Sequence, residues 1–367
     1  MIYNWQQIDW LHFTYSTSEI EDLLYDFAER VGRSAGLFEA LKDDSQKEAI
    51  VELMVVEAIK TSEIENEYLS RKDVMTSIER NLGFKTNNNH VKDKKAEGAS
   101  ELMVNVRENF KLPLSEEMLF DWHKMLMKGS REINSGQWRS HSEPMQVVSG
   151  AYCKEKVHFE APPSKQVPKE MKAFFKWFNE TAPGGSREIT KAPVRSAIAH
   201  LYFETIHPFE DGNGRIGRAI SEKVLSEGIG KPALISLSKT IEAKKNDYYN
   251  ALKEAQSSND LTKWINYFVK VVADAQADAE KTIAFTVKKS KFFDRFESKL
   301  NERQLKVVKR MLEEGAKGFE GGMNARKYTA LTKASKATAT RDLQDLVEQG
   351  AFKVSGGGRS TSYQVNI

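Results

Sequence analysis

Residues 207–218 read HPFEDGNGRIGR and combine a histidine, an acidic pair, a glycine turn and two arginines. Gly212 and Gly214 flank Asn213 and permit a tight turn that bulky residues could not make. The residues that follow, RIGRAISEKVLSEGIG, place apolar side chains at helical spacing. The turn is therefore expected at a helix N-terminus, where free backbone N–H groups and the helix dipole attract anions.

The charged residues of this stretch fit a polyphosphate ligand. Arg215 and Arg218 are three residues apart, so they share one face of the predicted helix. Guanidinium groups match phosphate oxygens, and Asp211 is predicted to hold Mg²⁺, because phosphates supply most of the other ligands of that ion. His207 is then the predicted general base beside a bound nucleotide. The end of the preceding helix, through its dipole, would raise the basicity of His207 if the dipole acted alone.

The stretch resembles the signature of the Fic family, His-Pro-Phe-x-(Asp/Glu)-Gly-Asn-Gly-Arg-x-x-Arg, and matches every fixed position. The resemblance implies a mainly α fold, with a Fic helical core and a β-hairpin flap. It also implies a protein adenylyltransferase, in which His207 deprotonates a Ser, Thr or Tyr hydroxyl of a target protein and this hydroxyl attacks the α-phosphate of ATP. The implied phosphate-binding residues are Gly212, Asn213, Gly214, Arg215 and Arg218, with Asp211 holding Mg²⁺.

A second motif lies near the N-terminus. Residues 61–66, TSEIEN, resemble the inhibitory motif (Ser/Thr)-x-x-x-Glu-(Gly/Asn) of autoinhibited Fic proteins. The resemblance implies that Glu65 pairs with Arg218, which then cannot hold the γ-phosphate of ATP. The alternative is a solvated acidic helix face, because Glu57, Glu63 and Glu67 lie nearby in the sequence.

Length and composition are those of a multidomain protein without a membrane segment. A chain of 367 residues suggests two or three domains. There is no apolar run long enough for a transmembrane helix and no signal-peptide pattern at the N-terminus, and the single cysteine, Cys153, fits a reducing compartment. A cytoplasmic protein is therefore expected. The predicted domains are an N-terminal helical domain (1–84), the catalytic core (85–290), a linker (291–300) and a C-terminal domain (301–367).

Two further regions of the core are informative. Residues 136–163 contain two β-leaning runs around a glycine turn and predict a hairpin. By resemblance this is the flap, where a target protein docks at about residues 145–160 by strand addition. The resemblance also places Tyr249 against adenine and Gln256, where many relatives have Asn, against the nucleotide. Residues 85–100 are polar and predict a loop or a domain boundary. The early aromatics, including Trp5, Trp10 and Phe13, predict a stabilising cluster.

The C-terminal domain predicts a winged helix-turn-helix. Three helical segments precede a hairpin, and residues 301–367 carry 12 Lys/Arg and 7 Asp/Glu, a net charge of +5. A positive charge suits DNA. The candidate recognition helix carries Lys336, Thr338, Thr340 and Arg341, and Arg359 is at the predicted wing tip. Protein docking or homodimerisation is the alternative use of such a domain.

Three alternative functions remain open from the sequence. The same site could remove AMP from a modified target, with Glu65 activating water. Transfer of phosphate or phosphocholine is known among Fic relatives, but the second arginine, Arg218, favours ATP as an AMP donor. The chain could also be a DNA-binding regulator that uses the Fic domain to sense nucleotides.

Overall fold

The computed structural model describes residues 2–84, 91–130, 133–149, 156–357 and 360–367. The chain forms two compact units, of which the first comprises residues 1–32 and 50–279 and the second comprises residues 33–49 and 280–367. The described residues are mainly helical, which confirms the predicted fold class. None of the helices in the described ranges is long and apolar enough to cross a membrane.

Helices build most of the first unit. Three helices contribute residues to both units: α1 (Glu21–Glu39), α2 (Asp43–Ile64) and α11 (Thr262–Phe296). The other helices of the first unit are α3 (Arg71–Asn81), α4 (Lys94–Glu108), α5 (Glu116–Leu126), α6 (Val167–Glu180), α7 (Ala192–Ile206), α8 (Asn213–Ile229), α9 (Leu237–Ala243) and α10 (Lys245–Ala255).

The centre of the first unit is α7, in which every residue is buried. A helix without a polar face is a core helix, because it is covered on all sides by other elements. Two of its polar side chains have clear partners: Arg195 pairs with Glu227 at 2.6 Å, and His200 contacts the Tyr248 hydroxyl at 2.8 Å. Because α7 packs along α8, the turn that joins them lies between two largely buried helices.

The prediction of a loop over residues 85–100 was wrong for its last part, because α4 begins at Lys94 with Asp93 as its N-cap. The residues that looked loop-like, Ala96, Gly98, Ala99 and Ser100, are buried. A Cβ atom at Gly98 would lie 2.1 Å from the Met125 carbonyl oxygen. The small residues here allow close helix packing. Judged by its polarity alone, such a segment cannot be distinguished from a loop.

The aromatic residues of the N-terminal segment pack on the first unit, as predicted. Trp10 and Phe13 meet the ring of Tyr202 edge-on, at centroid distances of 5.4 and 5.5 Å. The Trp5 indole donates a hydrogen bond to the Glu160 carbonyl at 2.8 Å. The N-terminal segment therefore supports the end of the β-hairpin as well as the core.

The predicted hairpin is present. Strands β1 (Gln146–Ser149) and β2 (Lys156–Glu160) pair antiparallel, with a register irregularity between Val147 and Val148. The turn of the predicted flap, with Cys153, lies outside the described residues.

The second unit contains α12 (Glu302–Leu312), α13 (Ala325–Thr332), α14 (Lys336–Glu348) and the antiparallel strands β3 (Phe352–Ser355) and β4 (Ser362–Val365). Asn301 and Gln304 form the predicted capping box at the start of α12. Three helices and a hairpin follow one another in the predicted order, while the winged-helix assignment stays a prediction. Arg359, at the predicted wing tip, lies outside the described residues.

Candidate active site

The turn between α7 and α8 adopts two left-handed backbone conformations. His207 has φ 49° and ends α7, and Gly212 has φ 81° and is the N-cap of α8. The Asn213 side chain closes the loop, because its Oδ1 accepts from Phe209 N at 2.9 Å and its Nδ2 donates to Phe209 O at 2.8 Å. Both ends of this buried amide are therefore committed to the backbone, so Asn213 shapes the turn that presents the N-terminus of α8.

His207 lies in a buried environment that disfavours its charge. Burial lowers its pKa to about 4, and the charge of Arg139 acts in the same direction. The backbone carbonyl of Glu204 and the carboxylates of Glu65 and Asp211 oppose this shift only in part. The predicted rise in basicity at the helix end is thus outweighed by desolvation. At neutral pH the imidazole is uncharged and can accept a proton.

Arg139, which the sequence did not identify, holds the backbone around His207. Its Nε donates to the His207 carbonyl at 2.8 Å, and its Nη2 donates to the Ile206 carbonyl at 3.2 Å. Its own backbone N–H donates to the Pro208 carbonyl at 2.9 Å. These bonds satisfy the free carbonyl groups at the end of α7.

Arg218 is enclosed by the residues of the TSEIEN motif. Its Nη2 donates to Glu65 Oε1 at 2.8 Å and to the Thr61 carbonyl at 2.9 Å, and its Nε donates to Thr61 Oγ1 at 2.7 Å. Burial alone would lower the pKa of Arg218, but the Glu65 carboxylate, together with Tyr248 and Tyr249, more than offsets burial and raises the pKa. Asn66 follows with φ 60°, a left-handed conformation that glycine and asparagine tolerate best. Within the motif, Thr61 and Glu65 thus accept hydrogen bonds from Arg218, and Asn66 adopts a left-handed backbone conformation.

Arg215 is engaged by a different acid. Its Nη1 forms a close ion pair with Glu67, and its Nη2 lies 3.5 Å from Asp211 Oδ2. Glu67 also accepts from Lys95 of α4 at 2.8 Å. Arg215 is buried, whereas the Asp211 side chain is half-exposed. The two arginines of the signature are therefore each paired with an acid from the segment that ends α2.

Gly214 makes the contact with Glu65 possible. A Cβ atom at this position would lie 2.3 Å from Glu65 Oε1 and 3.1 Å from Arg218 Nη1. Only glycine therefore lets the carboxylate approach the first turn of α8.

A cavity of about 790 Å³ opens beside this turn. It is bounded by the hairpin, by the turn and by α10, and this size is within the range of small-molecule sites. The predicted site residues on its wall are Glu65, His207, Asp211, Gly212, Asn213, Gly214, Arg218, Tyr249 and Gln256. Arg215 is not on that wall.

The two predicted nucleotide contacts on the α10 side differ in exposure. Tyr249 is 37% exposed, and its ring can still be covered by a ligand. Gln256 is buried and its side-chain amide donates to the Glu204 carbonyl at 3.4 Å. A nucleotide contact through the Gln256 amide therefore requires exchange of this long hydrogen bond.

The sequence of residues 113–225 matches the Fic/DOC family, and residues 3–84 match a domain of unknown function, DUF4172. The similarity to the Fic/DOC family thus covers about a third of the chain, including the turn between α7 and α8. A probable protein adenylyltransferase of Aquifex aeolicus is 32% identical over 98 residues, which are 27% of this chain and 27% of that protein. Protein adenylyltransferase Fic of Drosophila yakuba is 27% identical over 174 residues, 47% of this chain and 29% of that protein. The chain thus spans less than a third of these relatives.

Solved structures show the same fold over most of the chain. A Fic family protein from Desulfovibrio desulfuricans has a TM-score of 0.56 and 21% identity, covering 96% of this chain and 97% of that one. A Fic domain containing signaling protein from Bacteroides thetaiotaomicron has a TM-score of 0.53 and 19% identity, covering 72% and 97%.

Three residues in or near the candidate active site were not predicted from the sequence: Arg139, Glu204 and Glu67. Glu204 is three residues before His207, and this helical spacing could have indicated a shared face. Glu67 was visible only as part of an acidic stretch. Arg139 belongs to no motif, and no local pattern indicates its contact with residues 68 positions away.

Proposed function

We propose that this chain transfers AMP from ATP to a hydroxyl group of a target protein, and that Glu65 restrains this activity by occupying Arg218. The observation that carries the proposal is the buried Glu65–Arg218 pair beside His207 and the N-terminus of α8. The similar proteins of Aquifex aeolicus and Drosophila yakuba are named as protein adenylyltransferases, which agrees with this chemistry.

In the proposed reaction, Nε2 of His207 takes the proton of the target hydroxyl. The hydroxyl oxygen then forms a bond to the α-phosphorus of ATP, and the bond from this phosphorus to the bridging oxygen breaks, so that pyrophosphate leaves. The backbone N–H groups at the start of α8 and the charges of Arg215 and Arg218 stabilise the phosphate oxygens. Rate acceleration comes mainly from positioning and electrostatics.

Asp211 is the proposed Mg²⁺ ligand. Its carboxylate is half-exposed and lies on the cavity wall, which suits an ion that is otherwise held by phosphates and water. Bound there, Mg²⁺ would neutralise phosphate charge. Because Asp211 also lies 3.5 Å from Arg215, the two side chains balance one another's charge when no ion is bound.

Release of the Glu65 contact is the proposed activating step. A γ-phosphate on Arg218 and the Glu65 carboxylate would compete for the same Nη2 atom. The two hydrogen bonds from Arg218 to Thr61 can persist in both states. Exchange of one acceptor for another therefore leaves no buried guanidinium unpaired.

The target protein is proposed to dock on the hairpin. Val148 and Val157 face each other across β1 and β2 and are 44% and 43% exposed. A two-stranded sheet leaves free backbone edges, and an extended target segment can add to one of them. The hydroxyl would then enter the cavity that His158 and His207 line.

The test uses ATP labelled on the α-phosphate and four proteins: wild type, Glu65→Gly, Glu65→Gly with His207→Ala, and Glu63→Gly. Glu63 is the matched control, because it lies two residues before Glu65 and pairs with Lys60 instead of Arg215 or Arg218. Label on protein should appear strongly only with Glu65→Gly. No label with any protein, even with host lysate as target, would refute restrained AMP transfer, and loss of AMP from a modified target would favour the reverse reaction.

DNA binding by the second unit is the second candidate function. The observation that favours it is the exposed surface of α14, where Lys336, Thr340 and Arg341 are all accessible. The measurement is a gel shift with random duplex DNA over a range of salt concentrations. Arg341→Ala should reduce the salt slope by about 1. Arg310→Ala should change it less, because Arg310 of α12 pairs its guanidinium with Glu314.

A further inference from the structure

Glu204 is a buried acid next to the proposed general base. It lies on α7, one turn before His207, and is 4% exposed. Its Oε1 atom is buried and has no hydrogen-bond partner, and its Oε2 atom lies 3.7 Å from Nδ1 of His207. Nδ1 is itself buried without a partner of good hydrogen-bond geometry, and the backbone carbonyl of Glu204, which raises the pKa of His207, is the competing acceptor. A possible donor and a possible acceptor thus face each other inside the site.

The place that Glu204 occupies is made by Gly217. A Cβ atom at Gly217 would lie 2.3 Å from Glu204 Oε1, so any other residue would displace the carboxyl group. Gly217 stands at a variable position of the family signature, between the two arginines. In this chain that position is glycine, and the backbone of α8 can therefore approach the Glu204 side chain closely.

The surroundings of Glu204 favour its neutral form. Burial raises its pKa to about 8, Arg218 opposes the rise and Glu65 adds to it. At neutral pH the side chain is therefore mostly a carboxylic acid, which retains an acceptor oxygen. The titratable and charged groups around it come from four elements: His200 and His207 on α7, Arg218 on α8, Tyr248 and Tyr249 on α10, and Glu65 after α2.

We infer that Glu204 is a positioning residue for His207: it accepts a hydrogen bond from Nδ1–H and so keeps the lone pair of the neutral imidazole on Nε2. The resting distance of 3.7 Å is longer than a hydrogen bond. Catalytic hydrogen bonds are often long in unliganded enzymes and shorten in the substrate complex.

The role in turnover rests on the proposed AMP transfer. When Nε2 takes the proton of the target hydroxyl, His207 carries a proton on each nitrogen. Glu204 Oε2 then accepts the hydrogen bond of the Nδ1 proton and stabilises the charged ring. When the ring later releases the Nε2 proton to solvent, the same contact restores the reactive tautomer.

The first experiment needs neither nucleotide nor turnover. Imidazole nitrogen chemical shifts report the tautomer, and we would measure them on histidine-labelled protein, with His207→Ala to assign the signal. In wild type and in Glu204→Gln, which keeps an acceptor oxygen and the shape, the Nδ1–H tautomer should predominate at neutral pH. In Glu204→Leu, which removes the acceptor, the Nε2–H tautomer should increase. An unchanged tautomer in Glu204→Leu would overturn the inference and assign tautomer selection to the backbone carbonyl of Glu204.

The second experiment measures kcat and KM for ATP in the Glu65→Gly background. Glu204→Leu should lower kcat about tenfold or more, because a general base contributes about 100- to 10,000-fold, while KM for ATP changes less than about twofold. Glu204→Gln should restore most of kcat. Glu222→Leu is the matched control, since burial also raises the pKa of Glu222 to about 8, away from His207.

The outcomes separate the two proposals. If the Glu65→Gly variant with Glu204 intact shows no AMP transfer, the proposed function is refuted. The tautomer measurement would still decide the role of Glu204. An unchanged kcat in Glu204→Leu would refute the positioning role. An equal loss of kcat in Glu204→Leu and Glu222→Leu would also refute it, because any buried acid would then have the same effect.

Discussion

Replacement of Glu65 by glycine should strengthen ATP binding. The carboxylate holds Nη2 of Arg218, a side chain that is 1% exposed, at 2.8 Å. A hydrogen bond between charged groups contributes about 1.5–3 kcal/mol net. Because each 1.4 kcal/mol corresponds to about a tenfold change in affinity, removal of this competitor should lower the dissociation constant for Mg-ATP by about 10- to 100-fold. The hydrogen bonds from Thr61 remain, so the loss of folding stability should be smaller.

The assay is isothermal titration calorimetry with Mg-ATP, using proteins that also carry His207→Ala to prevent turnover. Glu63→Gly is the control for the added backbone flexibility. Its partner Lys60 forms a partly exposed pair, and such pairs contribute about 0–1 kcal/mol. This control should therefore leave the dissociation constant within about twofold of wild type.

Equal dissociation constants for wild type and Glu65→Gly would refute the reasoning, because Glu65 and ATP would then not compete for Arg218. A similar gain in Glu63→Gly would also refute it, since the cause would be loosening of the α2 end. A gain for ATP with none for AMP would support competition with the γ-phosphate specifically.

Three further predictions concern neighbouring residues. Glu67→Gln in the Glu65→Gly background should free Arg215 and strengthen ATP binding by roughly another fivefold, about 1 kcal/mol for a partly exposed pair, measured by the same calorimetry; an unchanged affinity would assign Glu67 to folding alone. Asn213→Ala should lower the free energy of unfolding in urea by about 2–5 kcal/mol, because two buried backbone groups of Phe209 lose their partners, and a loss below about 1 kcal/mol would contradict this. Glu204→Gln should become more stable relative to wild type as the pH rises. The pKa of Glu204 is raised to about 8 in the folded state, so between about pH 4 and pH 8 the folded state holds a proton that the unfolded state has lost. The free energy of unfolding of the wild type therefore falls over this range, whereas Gln cannot titrate. If the free energies of unfolding in urea of wild type and Glu204→Gln change in parallel across this pH range, Glu204 is not protonated in the folded state.

The chemistry of the turn was predictable because its causes are local. Gly212 adopts its left-handed conformation because of the turn itself. The free N–H groups at the start of α8 point out of the helix N-terminus, and this follows from helix geometry alone. The spacing of Arg215 and Arg218 likewise defines a helix face from four residues. The hairpin, α11 and the order of elements in the second unit follow from periodicity and turn residues for the same reason.

One sequence-based expectation failed, and one local effect was outweighed, because packing overrode local character. The small and polar residues around Gly98 predicted a loop, but they form α4 because a helix can approach Met125 closely there. The dipole of α7 acting alone would make His207 more basic, but burial lowers its pKa to about 4. In both cases the deciding term is desolvation or contact with residues that are distant in sequence.

The sequence by itself determined the signature turn, the helix that follows it, the TSEIEN motif and the mainly helical fold class, because these depend on backbone conformation and spacing within a few residues. The resemblance implied the contact of Glu65 with Arg218, which the structure places across 153 positions, whereas only the tertiary structure decided that Glu67 meets Arg215 across 148. The tertiary structure alone brought Arg139 to the end of α7 and seated Glu204 against Gly217. Ion pairs and buried acids depend on distance and burial, and both arise only when separate segments pack together.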